Sequence, residues 1–527
     1  MLDIPTPKDL GLPDKYVKFR PNQPQAIEDG LNSPSRFTIQ HQEPGSGKSL
    51  VYMSQALIMS CRTMILTSTK SLQKQLLDDF ESIGLVDIRG TFTYFCEAYP
   101  GHTCDDGLVT KCPYKGSTVC PYSYARSEAT TRQLVTSNYA CWIANTKTPQ
   151  GGFGQFEMLV LDEGHNAAKE LASQLQISIS EHDLALTKSD WPKGNREDMT
   201  VWKRWAAVQG VIVQSRIEEL LPKIQSGNGN GKKAPSEAIK RYKHLRQHAT
   251  KLAELANCKP DKWVEDEWNH GYQFDPIDVS EYAEKYLFHD IPKIIITSGT
   301  ITKRSPLALG LTEDDFEYYS YPGNTDVSRT PLIYIPTVKV WRHSAEWELK
   351  RLVRRIDEIF ELRADRKGII HTVSHKLRDF IMTHSQYSRY FVSNYAKQGD
   401  LTSEVVNWFK KMQAPACLVS ASVTQGVDFP HNLCRYQIIA KLPWPDSRSK
   451  VEQARIALDK RREAQICMDA LVQMFARADR AEDDWQECFI LDDSVEKFLW
   501  YNRDLAPPKL MACYRKMTSL PFPPEVN

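Results

Sequence analysis

The sequence predicts an α/β protein built on two parallel sheets, and three observations carry that reading. Short β-rich apolar runs alternate with helical patterns over 36–165, as in SRFTIQ, TMILTST, RQLVTSN and FEMLVLDEGH. The same alternation returns over about 330–495, in LIYIP, KGIIHTV, ACLVSAS, RYQIIAKLP and ECFILDD. Between them, 170–285 is rich in Lys, Glu, Ala, Leu and Trp at helical spacing and reads as an inserted helical domain. Continuous apolar runs of this length are strands buried on both faces, and helices between such strands imply parallel pairing.

Length and composition bound what these elements can serve. A chain of 527 residues exceeds one core and divides into roughly three or four domains of ordinary size. The formal charge is +1, so a nucleic-acid partner cannot be argued from net charge and any basic track must be local. The opening MLDIPTPKDLGLPDKY lacks the basic-then-apolar build of a signal peptide. No apolar run approaches the roughly 18–20 residues of a membrane helix. These features predict a cytoplasmic protein with no membrane partner, whose twelve cysteines are reduced rather than paired.

In RFTIQHQEPGSGKSLVY an apolar strand runs into Glu43-Pro44-Gly45-Ser46-Gly47-Lys48-Ser49 and then into a helical pattern. The Gly45-Ser46-Gly47 turn lets backbone N–H groups close around phosphate oxygens, and the helix N-terminus adds its positive end. Lys48 is expected at the β/γ-phosphates of ATP and Ser49 at Mg²⁺. The pattern GxxxxGK[ST] wants Gly at 42, where this chain has Gln42. SGNGNGKKAPS at 226–236 resembles such a loop superficially, but it follows a helix and reads as a flexible turn. FEMLVLDEGHN ends an apolar strand in Asp162, Glu163, Gly164 and His165, at the strand edge where parallel sheets bind ligands. Asp162 is placed to hold Mg²⁺ and Glu163 to deprotonate the attacking water, with His165 on the same nucleotide-side edge; the plain alternative is a polar strand end capping a helix. QMFARADR sets Gln473, Arg477 and Arg480 at i, i+4 and i+7 on one helical face, a way to present two arginines to a γ-phosphate across a domain interface. Gly426 and Asp428 of SASVTQGVDFP sit on a strand-to-loop edge that could link the nucleotide to the second sheet.

Cysteines recur at 96, 104, 112 and 120, each eight after the last. Scattered uniformly, twelve cysteines would put only about half of one in so short a window. Pro100, Gly101, Gly107, Pro113, Gly116 and Pro121 argue for an irregular loop. Four thiolates suit tetrahedral Zn²⁺ or a four-iron cluster, and the absence of C-x₂₋₄-C pairs fits the larger cluster better. Cys141, beyond the loop, reads as a core thiol. The loop also carries Tyr94, Phe95, Tyr99, Tyr114, Tyr122, Tyr124, Lys111, Lys115 and Arg126, which could stack bases and hold phosphates or could simply pack around the metal. Thr67, Ser68, Thr69, Asn138 and Tyr139 follow strands of the first region, and Thr372, Ser374 and His375 follow one of the second. Groups there can bond nucleic-acid backbone phosphates, or equally cap helices.

In order, FRPNQPQAI, EPGSGKS, TSTKSLQKQL, the cysteine stretch, VTSNYACW, DEGH, ITSGTIT, HTVSHKL, VTQGVDFP and QMFARADR resemble the XPD/DinG family of superfamily 2 iron–sulfur helicases over nearly the whole chain. The resemblance implies two RecA-like parallel-sheet motor domains with an iron–sulfur loop insertion and a helical arch insertion. It places the first motor at 1–91, 126–169 and 289–325, the iron–sulfur loop at 92–125, the arch at 170–288 and the second motor at 326–527. It implies that Gln23 lies on the adenine side, that Cys96, Cys104, Cys112 and Cys120 ligate a [4Fe-4S] cluster, and that ATP and Mg²⁺ are used. The implied partners are single-stranded and forked DNA and other DNA-processing proteins, with 5′→3′ movement; an N-terminal extension able to house the exonuclease of some relatives is not expected here. DEGH for DEAH, TSGT for the usual Ser-Ala-Thr, Gln425 for a frequent Glu and Ala476 for a usual Gly are departures that leave every charge needed for hydrolysis in place. The rival readings are an RNA or protein–nucleic-acid remodelling translocase, and a zinc-stapled nucleic-acid-binding scaffold without motor activity.

Overall fold

A computed structural model of the chain describes residues 4–43, 45–109, 112–147, 152–228, 236–322, 326–393, 403–421, 429–477 and 484–524. In chain order the strands are β1 (Phe37–Gln42), β2 (Thr63–Thr67), β3 (Val86–Asp87), β4 (Leu134–Asn138), β5 (Met158–Asp162), β6 (Ile177–Ser180), β7 (Trp263–Trp268), β8 (Gly271–Pro276), β9 (Lys293–Ser298), β10 (Phe316–Tyr321), β11 (Leu332–Val338), β12 (Lys367–His371), β13 (Phe391–Val392), β14 (Ala416–Ser420), β15 (Tyr436–Ile439), β16 (Glu487–Asp492) and β17 (Tyr514–Lys516). They form two seven-stranded sheets, β10-β1-β9-β5-β2-β4-β3 and β13-β14-β12-β15-β16-β11-β17, in which every pair is parallel. The two parallel sheets expected from the apolar runs are therefore present.

Helices cover both faces of each sheet, so alternate residues of one strand enter different cores. On β5, Leu159 and Leu161 face one apolar cluster while Met158 and Val160 face another with Leu50, Tyr52 and Met53 of the helix Lys48–Met59. On β11, Ile333 and Ile335 face away from Leu332 and Tyr334 in the same manner. This two-sided burial explains why the strands read as unbroken apolar runs.

The stretch read as purely helical also contains a third sheet. Strands β6-β8-β7 are antiparallel and lie beside the long helices Met199–Asn228 and Ser236–Asn257. Asn269 and His270 link β7 to β8 with φ of 34° and 60°, the left-handed pair that a two-residue hairpin needs. Trp202 is fully buried there, with ring centroids 4.6 Å from Tyr272 and 4.9 Å from Phe274. Helical composition on either side hid a hairpin whose Tyr272 and Phe274 pack on Trp202 of the helix Met199–Asn228.

Gly368 of β12 lies opposite Tyr436 of β15, and a Cβ at 368 would meet the tyrosine ring at 2.2 Å. Gly368→Ala is expected to lower the stability of the second sheet by about 1–3 kcal/mol, read as a lower denaturant midpoint for that domain.

Candidate active site between the two sheets

The phosphate-loop segment leaves the carboxyl end of β1 and enters the helix Lys48–Met59. Gly45 and Gly47 both have φ of 80°, a conformation that glycine adopts without strain. The space beside Gly47 is filled by Gln23, whose Nε2 would stand 2.5 Å from an added Cβ. Gln23 donates to the carbonyls of Ser46 at 2.9 Å and Gly47 at 3.2 Å and accepts from the Arg20 backbone at 2.8 Å. Arg20 also donates to the Gly45 carbonyl. Gln23 thus braces the loop from behind, a role beside the adenine one expected of it. Gln42 belongs to β1, where it is buried and donates to Gln40 at 3.3 Å. That position ends a strand, so the glycine of the common pattern is not required.

Asp162 and Glu163 lie at the carboxyl end of β5, two strands away in the sheet. Asp162 is buried; burial and then the neighbouring Glu163 push its carboxyl up to about 7 against the pull of Lys48. Glu163 has φ of 50°, backbone strain at the residue expected to handle the water. One of its oxygens lies 3.6 Å from Lys48 Nζ and the other accepts from Ser298 Oγ at 3.1 Å. Gly164 packs against β9, and a Cβ there would meet Ile296 Cγ2 at 2.3 Å. This contact accounts for glycine in place of alanine in the DEGH box.

His165 connects this edge to the second sheet. Its Nδ1 is 2.6 Å from Ser298 Oγ, and its Nε2 is 2.7 Å from Gln473 Nε2, on the helix Arg462–Phe475. Burial pushes the imidazole below its ordinary value, so it is neutral. With the Gln473 amide nitrogen donating to Nε2, the ring proton sits on Nδ1 and donates to Ser298, whose own hydrogen goes to Glu163. Ser298, at the end of β9, was not singled out from sequence; its place at a strand end in KIIITSGT was the available signal.

The helix carrying Gln473 ends at Phe475, so Arg477 stands beyond it rather than one turn along its face. Arg477 donates its N–H to the Met474 carbonyl at 3.2 Å, and its own carbonyl accepts from Phe429 at 3.3 Å, which turns the chain out of the helix. Arg477 is buried and acts electrostatically on His371. Ala476 has φ of −80° and needs no glycine. Arg480, Gly426 and Asp428, with Gln425, lie outside the described residues.

Several residues expected along a nucleic-acid track are used locally. Tyr139 is fully buried, with its hydroxyl donating to the Asp162 carbonyl at 3.2 Å, and Thr372 is fully buried against the Ser374 and Ser420 carbonyls. Both are corrected to structural roles, because each side chain turns inward beneath a strand end. Thr69, Asn138 and Ser374 cap the helices that follow them. Ser68 Oγ is buried without a partner among the described residues, while His375 is exposed. Thr67 is buried.

The cysteine loop is less irregular than expected. Cys104 opens the short helix Cys104–Val109, and Cys120 precedes the helix Pro121–Thr131, because proline at a first helical position starts a helix. Cys96 and Cys112 sulfurs are 3.8 Å apart and those of Cys104 and Cys120 3.9 Å apart. Gly107 fits between, since a Cβ there would stand 3.2 Å from Cys96 Sγ and from Cys112 Cβ. Among the described residues no group of three or more His, Cys, Asp or Glu side chains is gathered as metal ligands. Tyr94 and Tyr122 pack edge to face, whereas Phe92, Phe95 and Tyr124 are exposed; Lys111 lies outside the described residues. Cys141 is buried, as a core thiol should be.

The polar edge at the carboxyl ends of β1, β5 and β9 meets the second domain through the His165–Gln473 contact, the edge at which parallel sheets bind ligands. A family model for a helicase C-terminal domain matches residues 368–505, and one described as the res subunit of type III restriction enzymes matches 16–187. Among solved structures, an XPD helicase superposes with a TM-score of 0.62 at 17% identity, covering 94% of this chain and 98% of that one. Xpd4 of S. tokodaii gives 0.60 at 14% identity over 95% and 100%, and an apo XPD structure gives 0.60 at 15% over 95% and 100%. No curated protein sequence matches. The two domain matches support a nucleic-acid helicase that uses ATP, and the likeness to the XPD structures is one of fold. Among the described residues no helix is long and apolar enough to cross a membrane.

Two outcomes are expected. Gly164→Ala should lower kcat for ATP hydrolysis about tenfold to 100-fold by displacing Glu163, and Ile296→Ala in the same chain should restore much of it. Without nucleotide, Asp162 binds a proton in the folded chain between its ordinary 3.8 and about 7, so stability should fall as pH rises through that window. Asp162→Asn should flatten this slope in pH-resolved unfolding.

Proposed function

We propose that this protein is an ATP-dependent DNA helicase that moves 5′→3′ along single-stranded DNA and unwinds duplex or forked DNA. The observation that carries the reading is the hydrogen-bonded path from Glu163 through Ser298 and His165 to Gln473, which joins the hydrolytic edge of one sheet to the other. The residues present fit a nucleotide: Ser46 Oγ is buried without a partner among the described residues, and Lys48 Nζ lies 3.6 Å from Glu163. Backbone N–H groups of Gly45 to Ser49 and the Lys48 ammonium would hold the phosphates, and Ser49 and Asp162 would hold Mg²⁺. Bound there, Mg²⁺ would supply charge neutralisation at the phosphate oxygens. Glu163 takes the proton of the attacking water, its far oxygen steadied by Ser298, while Arg477 and Arg480 serve the γ-phosphate side from the second sheet. Gln23, Gly426, Asp428 and His165 complete the nucleotide contacts.

Ser68, Thr69, Asn138, Ser374 and His375 lie at strand ends that would line a backbone track. Val373, beside Ser374, has φ of 62°, strain unusual for a β-branched residue and concentrated at this turn. The cysteine loop would meet the duplex junction with Phe92, Phe95 and Tyr124 outward. Its thiols suit a [4Fe-4S] cluster as a donor set, and Gly107 leaves room for two of them to approach. A second reading has its own support. Sulfur pairs at 3.8 and 3.9 Å match the edge of a zinc tetrahedron, about 3.8 Å for 2.3 Å bonds.

Glu163→Gln should lower DNA-stimulated ATP hydrolysis about 10²–10³-fold with ATP binding retained. Unwinding is measured on duplexes with 5′ or 3′ tails, and stimulation by RNA alone, or opening of 3′-tailed substrates alone, rejects the reading. Iron, sulfide and zinc content of anaerobically purified protein separates the two metal readings.

A further inference from the structure

The first residue of the phosphate-loop segment carries a negative charge that a polyanion would meet. Glu43 follows β1 directly, and its side chain is only 12% exposed. Its Oε2 accepts from Lys509 Nζ at 2.9 Å. Lys509 belongs to the helix Pro508–Cys513, packed with the second sheet through Leu510 and Cys513, and its side chain is 15% exposed. The pair therefore bridges the two domains beside the expected phosphate position. Glu43 and Lys48 both act electrostatically on His41 at the end of β1, in opposite directions, so carboxylate and phosphate lysine share one neighbourhood.

We propose that Lys509 is a positioning residue that neutralises Glu43 and so makes tight nucleotide binding depend on the approach of the second domain. With the domains apart, Glu43 faces the phosphates as an uncompensated like charge. With them together, Lys509 cancels it, and the phosphate loop keeps the net charge supplied by Lys48. The carboxylate is thus a built-in penalty on nucleotide held by the open form, and the coupling is reciprocal: bound triphosphate favours closure. This inference rests on the ATP-binding reading above and deepens it.

The test is a double-mutant cycle on the full chain, with the Kd of a fluorescent ATP analogue and Mg²⁺ measured without nucleic acid. Lys509→Met should weaken binding about tenfold, the scale of one unscreened charge near the site. Glu43→Gln alone should bind as well as wild type or better. The double variant should return to within about twofold of wild type, and Lys509→Arg should stay close to it. A lysine that merely holds its helix in place would not be rescued by Glu43→Gln, and neither would one that contacts phosphate itself. Wild-type affinity in Lys509→Met, or a double variant as weak as Lys509→Met, overturns the proposal. Wild-type binding is the control: where it is present, failed rescue removes this coupling alone, and where it is absent both readings fall.

Discussion

The hydrogen bond between Gln473 and His165 is the constraint on which the rest of the site depends. A neutral imidazole has one donor and one acceptor, so the partner of Nε2 decides where the single proton resides. Gln473 donates to Nε2 from the second sheet, and the proton is left on Nδ1 to face Ser298. Ser298 must then spend its hydrogen on Glu163. Each step in this path fixes the next, and the path starts in a different domain from the one where it ends. Withdrawal of the second sheet by a few ångströms would free the tautomer and loosen the orientation of the Glu163 carboxylate. Hydrolytic geometry is tied in this way to domain approach without any change in the first sheet itself.

For such a tie to be useful the interface must open without a large penalty, and its chemistry allows that. Among the described residues no apolar cluster spans the two parallel sheets; each core is confined to its own side. Contacts across the gap are polar: Arg304 with Asp459 at 2.8 Å, Lys509 with Glu43, and Gln473 with His165. The antiparallel hairpin of the insertion adds Lys450 with Asp266 and Arg455 with the Pro276 carbonyl. Polar pairs of this kind exchange for water at little net change, unlike buried apolar area. The sheets themselves, closed by parallel ladders and two-sided cores, are the rigid parts.

What could be read from sequence follows from how local each signal is. β1, β2, β5, β12, β14 and β16 were visible because burial on both faces leaves an unbroken apolar run, and the phosphate loop because glycines must stand where φ is 80°. The placement of β9 between β1 and β5 was not visible from residue pattern, since more than a hundred residues separate it from β5 and only tertiary pairing decides its neighbour. Ser298 was missed for that reason. Strands β6–β8 were hidden by averaging: strands of four to six residues disappear inside long helical composition, although Asn269-His270 between WVEDEW and GYQFDP marks the turn. Tyr139 and Thr372 show the limit of strand-end reasoning. The ends of strands collect polar groups both for ligands and for capping, and only burial separates the two.

The cysteine loop brings the two kinds of constraint together. Burial raises the thiols of Cys104 and Cys112, whereas hydrogen bonds from Ser123 hold Cys120 lower against the effect of burial. On the proposed metal reading, loading would displace protons from these thiols, and the free energy of that exchange would become part of the loop's own stability. The loop is also fastened outward: Lys243 on the helix Ser236–Asn257 pairs with Asp106 at 2.6 Å and with Asp105. Burial raises Asp106, yet Lys243 and Thr103 bring it down to about 2, so the pairing survives at any ordinary pH. The cysteine loop is thereby clamped to a helical insertion whose hairpin touches the helix Lys450–Leu458 of the second domain.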